Sequence, residues 1–175
     1  MPQPYLLASL CPASSPPNMT ISLLFTDATI MPKSKKNAQN SLLARLRQDY
    51  PDLTFISGDR YLFHPPTTIQ YVDADDYLLL LHELGHYLIG QNDYNQDIEL
   101  LQIESAAWAK AKELCAKYHL TFNESYAESR LDSYRDLLHY NSLCPNCGLN
   151  GYEDEHQTYH CPLCGASWQG KYQAR

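Results

Sequence analysis

Four cysteines near the C-terminal end constrain this chain more than any other feature. Cys144-Pro145-Asn146-Cys147-Gly148 is followed by Cys161-Pro162-Leu163-Cys164-Gly165. A C-x-x-C turn lets both sulfurs of a pair reach one ion, and two such pairs place four thiolates at tetrahedral zinc spacing. The glycine after each second cysteine tolerates the left-handed backbone that such a knuckle needs. The competing readings are a disulfide and a redox C-x-x-C, but redox motifs do not come as matched pairs without a surrounding βαβ unit. His160, beside Cys161, is not needed once four sulfurs complete the shell, and His156 and His160 are read as surface. Of the six cysteines, Cys11 then falls in a tail and Cys115 in a helix. Four metal thiolates and two free thiols fit a reducing, cytoplasmic setting.

The length of 175 residues suggests one main domain with a small appendage. No apolar run approaches the ~20 residues needed to cross a bilayer. A net charge of −7 argues against a general phosphate-backbone binder. At the N-terminal end, Met1-Pro2-Gln3-Pro4 lacks the basic residues of a secretory signal, and bulky Leu10 before Cys11 argues against a lipoprotein. Pro12, Pro16 and Pro17 break any element, so residues 1–34 are expected to form a disordered tail, with a short strand at Thr20–Phe25. Met31 offers an alternative start, and Lys33, Lys35 and Lys36 read as a solvated leader rather than a nucleic-acid contact.

Residues 35–142 form the expected main domain. An amphipathic helix over 36–50 places Leu42, Leu43, Leu46 and Tyr50 on one stripe. Leu53–Ser57 and Arg60–His64, around Gly58-Asp59, suggest a hairpin. Thr67–Val72 reads as a third strand. Asp73 is then the expected N-cap of a helix, with Asp75 and Asp76 in its first turn and Gly90 at its end. Embedded in this apolar helix is His82-Glu83-Leu84-Gly85-His86. Two histidines four apart project from one face and can grip one zinc ion. Glu83 lies beside the metal, placed to take a proton from zinc-bound water and pass it to a leaving amine. Between Tyr77 and Ile89 polar groups occur at just these three positions, and buried polar groups need partners that a metal would supply.

A third ligand is sought in the next helix, about Asn95–Tyr118. Its glutamates, Glu99 and Glu104, differ by about 140° around the axis, so one at most faces the metal. Leu101, Trp108, Ala111, Cys115 and Tyr118 follow 3–4 spacing, and Glu104 falls on that stripe while Glu99 does not. A buried ion pair is the competing role for Glu104. Ala106, Ala107, Ala109 and Ala111 would let the two helices approach closely. Cys115 lies about 16 Å of helix beyond Glu104, so it is a core thiol. A last helix runs from Glu124 to about Tyr140, with Ala127, Leu131, Tyr134 and Leu138 inward. Tyr126, Tyr134, Arg135 and His139 are candidates to stabilise a tetrahedral oxyanion, with aromatic packing as the alternative for the tyrosines. His64 and His119 read as surface or strand-end residues.

These motifs carry family resemblances. The segment 143–175 resembles a zinc ribbon. H-E-L-G-H at 82–86 with E-S-A-A-W from Glu104 to Trp108 is similar to zincin metallopeptidases with a glutamate third ligand, above all the ImmA/IrrE-type domains. The likeness covers roughly residues 52–120 and implies His82, His86 and Glu104 as zinc ligands with Glu83 catalytic. A protease domain followed by a ribbon resembles the SprT-like layout, whose usual third histidine is missing after Gly90. The implied fold is α+β: a zincin-like domain of a short sheet and three to four helices, then a four-cysteine zinc ribbon. The implied function is a zinc endopeptidase with two zinc ions per chain, one catalytic and one structural. It acts on a peptide or protein substrate, and the ribbon docks a substrate or protein partner. The alternative is a regulatory binding protein whose ribbon contacts a repressor, another protein or nucleic acid. Glu153-Asp154-Glu155, between the two cysteine pairs, weighs against nucleic acid.

Overall fold

The computed structural model describes residues 34–72, 76–90 and 94–170. The expectations for the tail, its strand at Thr20–Phe25, the alternative start at Met31, Cys11, Lys33, Asp73 and Asp75 lie outside those residues. The architecture is α+β, with four helices and two three-stranded sheets among the described residues. Helix α1 spans Ser34–Asp49 and buries Leu42, Leu43 and Leu46, while Tyr50 packs at the edge of the core.

Three short strands follow: β1 Thr54–Ser57, β2 Leu62–His64 and β3 Thr68–Tyr71. The expected hairpin between the first two does not form. The sheet order is β1-β3-β2, with β3 parallel to β1 and antiparallel to β2. The central place goes to the strand whose side chain is most completely buried. Ile69 of β3 is fully enclosed and stands beside Phe55 on one side and Phe63 on the other. Pro65-Pro66 therefore lies in the turn of the actual hairpin, between β2 and β3.

Helix α2 covers Tyr77–Ile89 and ends at Gly90. Its N-cap is Asp76 rather than an earlier aspartate. Asp76 Oδ1 accepts from the amides of Leu78 and Leu79 at 3.1 and 3.2 Å, and its other oxygen accepts from the Tyr126 hydroxyl at 2.5 Å. Helix α3 spans Asp97–Tyr118 and packs along α2. It buries Leu100, Glu104, Ala107, Trp108, Ala111, Leu114, Cys115 and Tyr118. Leu100 thus takes the fully buried place expected of Leu101, and Ala106 and Ala109 face outward. Helix α4, Glu124–Ser142, buries Ala127 and Leu131, with Asn123 as its cap.

The C-terminal cysteine module is a meander of β4 Tyr152–Glu153, β5 Thr158–His160 and β6 Ser167–Gln169, in that order and antiparallel. It is joined tightly to the helices. The last turn of α4 runs into it, with Gly151 N donating to Ser142 O at 2.7 Å and Trp168 Nε1 donating to Asn141 O at 2.7 Å. No helix among the described residues is long and apolar enough to cross a membrane.

Candidate metal centres

Among the described residues, two groups of side chains could each hold a metal ion: Cys144, Cys147, Cys161 and Cys164, and His82, His86 and Glu104. Within each group the potential ligand atoms all lie within 4.8 Å of one another. Both sets are the ones that spacing and the buried stripe of α3 single out.

In the cysteine group each knuckle closes by a backbone bond, Gly148 N to Cys144 O at 2.9 Å and Gly165 N to Cys161 O at 3.1 Å. Both glycines sit at φ 72°, in the left-handed region that side chains disfavour. The sulfurs meet in cross-pairs, Cys144 with Cys164 at 3.6 Å and Cys147 with Cys161 at 3.5 Å. All four are free thiols, so no disulfide links them. His160 stands apart from the ligands, bonded to Ser167 Oγ and Asp154 Oδ2 at 2.9 and 2.8 Å.

The second group is assembled by two helices. One turn of α2 brings His82 and His86 together, with their Nε2 atoms 3.1 Å apart. Glu104 of α3 completes the set, at 3.1 Å from His82 Nε2 and 3.6 Å from His86 Nε2. The close approach of the helices depends on Gly85. A Cβ there would sit 2.5 Å from the carbonyl oxygen of Ala107. Side-chain exposure is 7% for His82, 9% for Glu104 and 15% for His86, so the site opens on the His86 side. Glu99 is turned away and accepts from the amide of Asn95 at 2.7 Å.

Electrostatics tie this group together. Burial alone would raise the pKa of Glu104, but the close imidazoles of His82 and His86 outweigh it and bring the carboxyl down to about 2. His86 responds in the opposite sense: burial disfavours its charged form, and the Glu104 carboxylate more than restores it. Although His82 Nε2 is near Glu104 Oε2, that oxygen has no directed hydrogen bond, and His82 Nδ1 is also buried without one. Buried polar atoms in that state are costly unless something else binds them. For the carboxylate oxygen, a cation held by the three side chains would fill the need.

Two contacts around the triad were not evident from spacing, the Phe63 amide on Glu83 and the Trp108 ring on His82. Glu83 is buried, and its Oε2 accepts from the amide of Phe63 at 2.7 Å. Since that amide points at Glu83, the edge strand β2 fixes one carboxylate oxygen. Burial raises the Glu83 pKa, partly offset by His82, His86 and the Phe63 bond. Trp108 stacks on the His82 ring, centroids 4.3 Å apart and planes at 28°. Among the four candidate oxyanion donors, Tyr134 is the one beside the site. Its pKa is raised by burial and then by the charges of Glu104 and Glu83, so it stays a neutral donor. Tyr126 is engaged with Asp76 and Arg130, Arg135 with Glu128 and Asp132, and His139 lies near Asn150 in the cysteine module.

Compared with protein-family models, curated proteins and solved structures, the chain matches none.

Proposed function

We propose that this protein is a zinc-dependent endopeptidase of the zincin kind, resembling ImmA/IrrE-type domains, with a structural zinc in the cysteine module. The observation that carries the reading is the convergence of His82, His86 and Glu104 with Glu83 beside them. The separations of 3.1–3.6 Å suit an ion about 2.1 Å from each ligand atom, and sulfur separations of 3.5–3.6 Å suit bonds near 2.3 Å. Three protein ligands leave one position free, as catalytic zinc sites do.

A zinc ion, held by His82, His86 and Glu104, would supply a Lewis acid able to acidify water and polarise a peptide carbonyl. Glu83, steadied by the Phe63 amide, takes the proton from the attacking water and delivers it to the leaving amine. Tyr134 offers a neutral hydroxyl to the oxygen on which charge develops. Residues 73–142 carry thirteen acids against five bases, which favours a basic or neutral substrate segment. The exposed Tyr152 and Leu163 of the cysteine module offer apolar surface to a docking partner. Free thiols support a reducing, cytoplasmic setting.

The test is Glu83→Gln, assayed by mass spectrometry on a mixture of unstructured peptides. Loss of the general base is expected to slow cleavage by about 10²–10⁴-fold while zinc content stays at the wild-type level. Full activity in that variant contradicts the mechanism.

A further inference from the structure

Helix α3 begins without a cap of its own. Gln96, at the cap position, is extended, and its side chain makes no capping bond. First-turn amides have no partner inside a helix. Here one is supplied from 56 residues away: Glu153 Oε2 accepts from Asp97 N at 2.6 Å. Gln96 answers by donating its side-chain amide to Glu153 O at 2.9 Å. The Asp97 carboxylate is held in turn by the Tyr159 hydroxyl at 2.8 Å and by Asn141 Nδ2 at 2.6 Å. Asn141 O accepts from Trp168 Nε1.

The three residues of the cysteine module that act here form one row. Glu153 pairs with Tyr159 across β4 and β5, and Tyr159 with Trp168 across β5 and β6. Glu153 and Tyr159 lie between the two knuckles in sequence and Trp168 follows the second, so the alignment of the row depends on the four cysteines. On the helix side, Asp97 is seven residues before Glu104. That is about two turns, which returns to the same face roughly 10.5 Å along the axis.

We propose that the cysteine module is the N-cap of α3 and that Glu153 is a positioning residue for Glu104, so that an ordered four-cysteine site strengthens metal binding at His82, His86 and Glu104. This rests on the reading of both groups as zinc sites. The coupling runs through a short chain: sulfurs to sheet, sheet row to Asp97, and two turns of helix to the third ligand. It makes the module a support of the catalytic centre as well as a docking element. Oxidation or chelation of its thiolates would then also loosen the second site.

The experiment measures zinc affinity of the full chain by competition with a chromophoric chelator, in wild type, Glu153→Ala, Glu153→Gln and Tyr159→Phe. Hydrogen exchange of the Asp97–Leu101 amides is followed in the zinc-loaded proteins. In Glu153→Ala the affinity at the four cysteines is expected to hold, the second site to weaken by about tenfold, and the first-turn amides to exchange faster. Glu153→Gln keeps an acceptor for Asp97 N and is expected to restore most of the affinity, which a purely electrostatic role would not predict. Tyr159→Phe removes a single hydroxyl and is expected to shift the second site in the same direction by less. Wild-type affinity at both sites in Glu153→Ala and Tyr159→Phe overturns the coupling while leaving the site reading intact. A wild-type chain that binds zinc at the cysteines alone overturns the site reading, and the coupling with it.

Discussion

Gly85 sets how near the two ligand-bearing helices come. Alanine is favoured over glycine inside a helix by about 1 kcal/mol. Overpacking a well-filled contact costs roughly 1–3 kcal/mol. Here the clash is with a backbone oxygen, 2.5 Å from the added carbon, which cannot rotate aside. The second effect should win. Gly85→Ala is expected to lower the urea midpoint and to weaken zinc at the histidine–glutamate site; an unchanged or raised midpoint contradicts the close-packing account. The candidate ligand set was legible in the sequence because helical period puts His82, His86 and Glu104 on facing stripes. The Phe63 amide on Glu83 and the Trp108 ring on His82 were not. A backbone donor has no residue signature, and ring stacking between helices depends on their distance and rotation.

At the scale of elements, α2 shows how a cap serves the site. Asp76 holds the Leu78 and Leu79 amides with one oxygen and the Tyr126 hydroxyl of α4 with the other. Removing a capping aspartate typically costs about 0.5–2 kcal/mol, and Asp76→Ala, which also takes the carboxylate partner from Tyr126, should fall near the upper end. A thermal melt reads the change, and an unchanged midpoint would contradict the assignment. Helix lengths were readable because apolar residues recur at 3–4 spacing over many turns. Strand partners were not. A pattern of four residues says that a strand exists, but the neighbour is chosen by which side chain most needs enclosure, here Ile69. The start of α3 was hidden for a related reason: its cap, Glu153, arrives from the far end of the chain.

Across the whole molecule, the two candidate centres belong to one compact unit from Met31 to Arg175. Glycine knuckles gather the sulfurs, α2 and α3 gather the imidazoles and carboxylate, and the row of Glu153, Tyr159 and Trp168 bonds the cysteine module to Asp97 of α3 and Asn141 of α4. The site falls within the acid-rich stretch 73–142 of the sequence and opens beside His86. The central claim is that His82, His86 and Glu104 hold a metal distinct from the one at the cysteines. Native mass spectrometry of the zinc-loaded chain tests it most directly. The account predicts two zinc ions in the wild type, one for each ligand group, and one in Glu104→Ala. A single zinc in the wild type, or two retained in Glu104→Ala, would contradict it.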